Sequence, residues 1–276
     1  MSTTENTPGS TDESIWRTFR RNRDESLADP HGILAQVGLH WIDPSAGPQR
    51  LDGIPGSWEV VEGRLVAEFE DAAFEDTEPT LLAAADEVDV RTRGERTTAT
   101  VTGTGDVRLA RFGDDVQIDV IRRGGRIGLR LLDPAAPRRA AFDGVPTFPY
   151  NPEAVLTGTW RREPTTVTVG SALPWLTQEL PSPGVATLDT SRGPVELLLT
   201  GESSIVFTDV TSGTESADWR QVTAQLDGDA VRVDLNYALN FPSAFSVWGT
   251  CPRSPEGNHL PRAVRAGERR VEPTER

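Results

Sequence analysis

The sequence contains no lysine, so all 28 of its basic residues are arginines. Lysine supplies the amine of Schiff-base enzymes, the phosphate-binding side chain of the P-loop and, in some enzymes, the general base. These three kinds of chemistry are therefore excluded for this chain.

Positive charge is also scarce relative to negative charge. The chain has 42 acidic residues against 28 basic ones, and its formal net charge is −14. Nucleic acids and anionic membrane surfaces are bound mainly through clustered positive charge. We therefore expect neither a nucleic-acid partner nor a membrane partner.

Long apolar runs are missing, and cysteine occurs once. No run approaches the roughly 18 apolar residues of a membrane-spanning helix, and the opening MSTTENTPGSTDES lacks the basic start and apolar middle of a signal peptide. Cys251 has no second cysteine with which to form the intrachain disulfide that is common in secreted proteins. Together these absences predict a soluble cytoplasmic protein.

Most of the chain shows the period-two alternation of β-strands between short turn signals. Three hairpins are clearest: Trp58–Val61 with Arg64–Phe69, Val88–Arg93 with Thr97–Val101, and Gln221–Leu226 with Ala230–Asn236. Many short strands joined in this way favour a mainly β fold, either an antiparallel barrel or a sandwich.

The remaining segments complete a single β-rich domain over residues 12–268. An amphipathic helix is predicted for 12–28, beginning at a capping box, Ser10 to Glu13, and ending before Pro30. Strands follow from about 58 to 236. Recurrent prolines predict an extended strap over 240–268. Residues 1–11 and 269–276 are predicted to be tails, the first of them disordered, and short helical turns are predicted near Thr80–Ala85 and Leu173–Leu180.

Several short motifs at wide intervals resemble one family, the bacterial and archaeal domain of unknown function numbered sixteen-eighty-four. They are Gly38–Trp41, Pro55–Trp58, Arg130 with Asp133, Phe142–Gly144, Phe207–Gly213, Asp234–Asn240, Cys251-Pro252, Asn258–Leu260 and Ala266–Glu268. The family is uncharacterised, so the resemblance implies no catalytic residue. The chain departs from the family pattern at Ser243, where members often have cysteine, and at His259, where they usually have arginine.

Polar residues concentrate in the C-terminal third, where they predict either a pocket or a solvated sheet face. In Val231–Asn236, alternate residues share a face, so Arg232, Asp234 and Asn236 lie on one side. In the pocket hypothesis Asp234 and Asn236 join Asp209. Arg220 then neutralises one carboxylate and offers its planar fork to an anion, and Thr211 supplies a hydroxyl.

His40 lies in an apolar Gly-Leu-His-Trp context, which is more typical of a buried structural histidine than of a catalytic one. If a pocket opens there, an imidazole is the natural general acid or base. With three histidines in the chain and no two-histidine motif, we expect no metal. No motif predicts a cofactor.

Two hypotheses of function remain open. In the first, the protein binds a small polar or anionic ligand, and could hydrolyse it, at a site formed by His40, Asp209, Thr211, Arg220, Asp234 and Asn236. In the second, it is a non-catalytic interaction or scaffold protein in which the polar C-terminal residues fasten the strap. The sequence indicates neither the ligand nor the oligomeric state, and it leaves open whether a reaction is catalysed.

Overall fold

The computed structural model describes residues 8–70 and 80–271, except for the side chains of residues 8–10 and Glu70. Backbone proximity divides the chain into two compact units. The continuous unit is Ala28–Phe142, and the split unit combines Met1–Leu27 with Asp143–Arg276. Residues 1–7 of the first predicted tail and 272–276 of the second lie outside the described residues.

Helix α1 spans Pro8–Leu27 and belongs to the split unit. It begins before the predicted residue 12, because proline is well suited to the first helical turn, where its missing N–H leaves no intrahelical bond unmade. Ser10 therefore lies inside the helix, and its predicted capping role concerns a side chain outside the described residues. Trp16, Arg20 and Leu27 form a buried stripe along the helix.

The continuous unit consists of two antiparallel sheets. Its strands are β1 (Gln36–Trp41), β2 (Ser57–Val61), β3 (Arg64–Glu70), β4 (Thr80–Leu81), β5 (Val88–Arg93), β6 (Arg96–Val101), β7 (Val107–Phe112), β8 (Val116–Arg123) and β9 (Arg126–Leu132). One sheet has the order β1-β9-β8-β7-β4 and the other β2-β3-β6-β5. Helix α2 (Pro137–Ala140) follows them.

The two sheets of this unit share one core, as in a β-sandwich. Trp58 and Leu65 from the four-stranded sheet belong to the same buried cluster as Ile118 and Leu129 from the five-stranded sheet. Hairpin turns set the register, and in the β2–β3 turn Glu62 and Gly63 both have positive φ, at 49° and 76°. Such a turn matches the twist of paired strands.

The split unit is built on one large sheet. Its strands are β10 (Val155–Gly170), β11 (Thr177–Leu188), β12 (Val195–Leu198), β13 (Ser204–Asp209), β14 (Arg220–Asp227), β15 (Ala230–Asp234), β16 (Leu239–Asn240) and β17 (His259–Leu260). The order is β12-β11-β10-β15-β14-β13-β17, with β16 paired to β14. Only the β13–β17 pair is parallel among these strands.

The predicted mainly β, antiparallel fold with an N-terminal helix is confirmed, and within the described residues no sheet closes into a barrel. Two predicted helical turns are wrong. Thr80 and Leu81 form β4, and Thr177–Leu180 lies in β11. The predicted strap contains only a 3₁₀ turn at Pro242–Ala244 and the two-residue β17 after Asn240. No described helix is long and apolar enough to span a membrane.

Candidate functional site

Asp209 and Arg220 form a buried ion pair in the split unit. Asp209 ends β13 and Arg220 begins β14, and these strands are antiparallel neighbours with Phe207 opposite Arg220. The Arg220 Nη2 to Asp209 Oδ2 distance is 2.9 Å, and both side chains are 0% exposed. Burial lowers the pKa of Arg220, and the carboxylate of Asp209 acts in the opposite direction.

The other hydrogen bonds of this pair hold the C-terminal segment, which we define as residues 240–271. The two terminal amino groups of Arg220 donate to the carbonyl oxygens of Val264 (3.0 Å), Ala266 (2.7 Å) and Glu268 (3.0 Å). Asp209 Oδ1 accepts from the backbone N–H of Val264 at 3.1 Å. The pair therefore connects strands β13 and β14 to the C-terminal segment, and it presents no charged atom to solvent.

Thr211 belongs to the same buried group. Its backbone N–H and its hydroxyl both donate to Asp209 Oδ1, at 2.7 and 2.6 Å, and its Oγ1 lies 2.9 Å from Ser216 Oγ. This is a tight turn closed by an aspartate, in which the side chain replaces backbone partners. Thr211 is 1% exposed.

Glu268 makes a second buried attachment, between the C-terminal segment and α1. Its side chain is 0% exposed, and Oε1 accepts from Arg20 Nη1 at 2.8 Å and from Arg23 Nε at 3.2 Å. Oε2 accepts from the backbone N–H of Asn240 at 2.6 Å. Sequence reasoning did not select Glu268, although it ends the Ala266–Glu268 motif.

A cavity of about 410 Å³ opens between α1 and the outer face of β14 and β15, and we call it the α1 cavity. Its lining comprises Asp12, Ile15, Phe19, Tyr150, Ser204, Gln221, Val222, Thr223, Gln225, Arg232, Asp234, Tyr237 and Leu239. The outer face is polar because β14 alternates, with Val222 and Ala224 buried on the core side. The cavity therefore combines a polar sheet wall with an apolar helix wall.

Two carboxylates and one guanidinium line the α1 cavity. Asp234 Oδ1 accepts from the backbone N–H and the Nδ2 of Asn236, at 3.1 and 2.9 Å, and thereby caps the 3₁₀ turn Leu235–Tyr237. Arg232 Nη2 lies 3.4 Å from Asp234 Oδ2. Asp12, on the exposed side of α1, is the second carboxylate, so the charged lining residues sum to one negative charge.

The chain has two tyrosines, and both line this cavity. Burial raises the pKa of Tyr150 and of Tyr237, and the negative charges of Asp234 and Asp12 raise both further. The Tyr237 ring lies 4.7 Å from the Phe19 ring, and the Tyr150 ring lies 5.7 Å from the Trp16 ring. Both phenols therefore stay protonated at neutral pH, beside two carboxylates.

The six residues predicted from the sequence fall into three places. Asp209, Thr211 and Arg220 form the buried group described above. Asp234 lines the α1 cavity, whereas Asn236 is 0% exposed and bonds to both backbone groups of Asn151. His40 is a half-buried residue of β1 in the continuous unit, paired in register with Leu129.

Sequence reasoning missed Asp12, Tyr150 and Tyr237. The sequence feature that could have identified the two tyrosines is their rarity, because the chain of 276 residues has only two. Across residues 8–70 and 80–271, no group of three or more histidine, cysteine, aspartate or glutamate side chains is arranged to hold a metal ion.

Comparison with known proteins gives a family model and matches among solved structures. No curated protein matches the chain. The solution NMR structure of an uncharacterized protein from Haloarcula marismortui is 26% identical, with 48% of this chain and 79% of that one covered at a TM-score of 0.39. The family model described as "Protein of unknown function (DUF1684)" matches residues 140–269, which include Tyr150, Asp209, Arg220, Asp234 and Tyr237. Residues 140–269 are therefore similar to the family that the sequence motifs indicated, whereas the motifs Gly38–Trp41 and Pro55–Trp58 lie outside the match.

Proposed function

We propose that this protein binds a small organic cation with an apolar body in the α1 cavity. The observation that carries the proposal is the meeting of Asp12, Asp234 and both tyrosines on one cavity of about 410 Å³. Pockets of this size that are mostly apolar, with a few convergent polar groups, are the usual form of small-molecule sites.

The charges favour a cation over an anion. Two carboxylates face one guanidinium, and Arg232 is already held by Asp234 at 3.4 Å and by Gln225 Oε1 at 3.3 Å. The anionic ligand expected from the sequence depended on Arg220, whose terminal amino groups donate to Asp209 and to backbone carbonyls. Asp12 is left as the carboxylate best placed to meet a ligand.

The aromatic and aliphatic lining supports an apolar body on that cation. Ile15 lines the cavity and is 56% exposed, so part of its apolar surface is available to a ligand. Phe19, Tyr150 and Tyr237 also line the cavity, and a cation held over an aromatic face gains from the ring quadrupole. An ammonium group near Asp12, with its hydrocarbon part against Ile15 and Phe19, would use both properties.

Binding fits the site better than hydrolysis does. A general base works best with a pKa near the working pH, and the raised pKa of both tyrosines moves them away from it. The structural role expected of the polar C-terminal residues is supported separately, for Asp209 and Arg220, by their bonds to Val264, Ala266 and Glu268. That role and ligand binding concern different residues, and both can hold.

The test uses three ligands with the same phenyl group and similar size but different charge: phenethylammonium, phenethyl alcohol and phenylacetate. Isothermal titration calorimetry at neutral pH is expected to show saturable binding of the cation, weaker binding of the alcohol and none of the anion. Asp12→Asn should weaken the cation about tenfold, since it removes a charge that Arg232 does not neutralise.

Glu13→Gln is the matched control. Glu13 lies beside Asp12 on α1, pairs with Arg17 at 2.7 Å and does not line the cavity, so its replacement should leave the affinity unchanged. Equal affinity for the three ligands, or a cation affinity that Asp12→Asn leaves intact, would refute the proposed ligand class.

A further inference from the structure

A second region of the split unit contains a buried hydrogen-bond donor with no acceptor. Trp219 is 8% exposed, and its Nε1 has no partner among the residues that the structure describes. The indoles of Trp16, Trp58 and Trp160 show the normal arrangement, with Nε1 donating to a backbone carbonyl at 2.9, 3.0 and 2.7 Å. A buried donor is expected to meet an acceptor, so Trp219 indicates that one is supplied from outside the chain.

Trp219 lines two cavities, of about 220 and 340 Å³. The two cavities share Asp218, Trp219 and Arg253, and together we call them the Trp219 cleft. Phe241, Ala172 and Ala244 provide apolar lining in the smaller cavity. The cleft can therefore hold a small molecule that has both a polar and an apolar end.

Arg253 supplies further donors at the same place. Its guanidinium carbon lies 4.9 Å from the centroid of the Trp219 ring, and its Nε donates to the carbonyl of Ser171 at 2.9 Å. Its two terminal amino groups have no hydrogen-bond partner within the described part of the chain. The stacking and the Nε bond fix the plane of the fork, which is how arginine is prepared to receive a carboxylate.

Charge at the cleft is carried by the two charged residues that line both of its cavities, Arg253 and Asp218. The terminal amino groups of Arg253 have no acceptor within the described part of the chain, so this guanidinium favours an anionic group. Asp218 would repel the second charge of a dicarboxylate or a phosphate.

We propose that the Trp219 cleft binds a small monocarboxylate. One carboxylate oxygen would accept from Trp219 Nε1 and the other from the Arg253 fork, with the hydrocarbon part against Phe241. This site is independent of the α1 cavity, because it takes a ligand of opposite charge and shares no lining residue with it.

The test is NMR of the indole N–H groups of the full chain, titrated with propionate. Trp219→Phe, which keeps an aromatic ring, assigns the Trp219 signal by its disappearance. Propionate is expected to shift that signal saturably, while the Trp16, Trp58 and Trp160 signals stay in place. Propionamide and chloride at equal ionic strength should leave the Trp219 signal unchanged.

Variants of exposed residues keep the test independent of folding. Arg253→Gln should lower the affinity for propionate at least tenfold, and Asp218→Asn should raise that affinity. Arg192→Gln lies outside the cleft and should leave the affinity unchanged. A Trp219 signal that propionate does not move, or moves equally in Arg253→Gln, would show that an ordered water alone meets the indole and would overturn the proposal. If Trp219→Phe fails to fold, the Trp219 signal is identified instead as the indole signal that propionate shifts in the wild type and does not shift in Arg253→Gln.

Discussion

The Asp209–Arg220 pair and the α1 cavity both place a carboxylate beside an arginine, and their surroundings differ. The side chains of Asp209 and Arg220 are 0% exposed, and three backbone carbonyls share the donors of Arg220. In the α1 cavity, Arg232 is 42% exposed and Asp234 is 12% exposed. The first arrangement uses its charge to hold the protein together, and the second leaves part of its charge available.

This difference shows why the type of residue does not by itself distinguish a binding site from a structural one. A buried ion pair resists the loss of either partner, because the remaining charge stays in a medium of low polarity. A partly exposed pair tolerates such a loss, because water replaces the partner. Substitutions in the buried pair should therefore mainly lower the stability of the protein. Substitutions in the α1 cavity should mainly lower its affinity for the ligand.

The largest effect is expected from Arg220→Met. The change leaves Asp209 buried without its cation and the carbonyls of Val264, Ala266 and Glu268 without donors, so the free energy of unfolding of the split unit should fall by about 3–5 kcal/mol. Urea denaturation measures it. Arg232→Met is the control from the α1 cavity and should lose about 1 kcal/mol or less. Similar losses of unfolding free energy in the two variants would mean that the Asp209–Arg220 pair does not stabilise the attachment of the C-terminal segment.

A smaller effect is expected from Asp234→Ala. It removes the cap of the 3₁₀ turn at Leu235–Tyr237 and should lower the free energy of unfolding by about 1 kcal/mol. Asp234→Asn retains an oxygen to accept from the Asn236 N–H, so its stability should stay close to that of the wild type. Both variants should weaken phenethylammonium. If the Asp234→Asn variant binds phenethylammonium as tightly as the wild type does, the charge of Asp234 does not contribute to ligand binding.

The smallest effect concerns alkaline pH. The pKa of Tyr150 and of Tyr237 is raised in the folded protein, so the folded state retains their protons longer than the unfolded state, in which tyrosine titrates near ~10. Their contribution to stability is therefore constant below about pH 10 and is lost as the pH rises from there through the higher folded values.

Asp12→Asn tests the cause of that shift. It removes one of the negative charges near the two phenols, and the tyrosinate absorbance should therefore appear at lower pH than in the wild type. Glu13→Gln should leave the titration curve in place. Because the chain has two tyrosines, both on the α1 cavity, the absorbance reports on this site without interference.

The hairpins were predictable because their periodicity is local. The β2–β3 and β5–β6 pairs follow the alternation and turn residues seen in the sequence. The first half of β11 is harder to predict, because prolines such as Pro181 and Pro183 are uncommon inside strands. In the structure Pro181 lies within β11, in register with Thr166.

The sites were predictable only in part. The sequence predicts that Arg220 neutralises one carboxylate of a pocket, and in the structure its partner is Asp209, in a buried pair rather than in a pocket. Its bonds to Val264, Ala266 and Glu268 did not follow, because no periodicity links residues more than forty positions apart. The α1 cavity could not be predicted for the same reason, because it brings together Phe19 and Tyr237, which are far apart in the sequence.

The attachment of Glu268 to Arg20 joins residues 248 positions apart. On the ribosome, α1 therefore emerges long before the carboxylate that will hold it, while Ala28–Phe142 is complete as soon as its own last strands are made. Domains tend to fold as units as they are synthesised. The continuous unit can reach its native state first, and α1 waits, with Trp16 uncovered, until Glu268 has been synthesised.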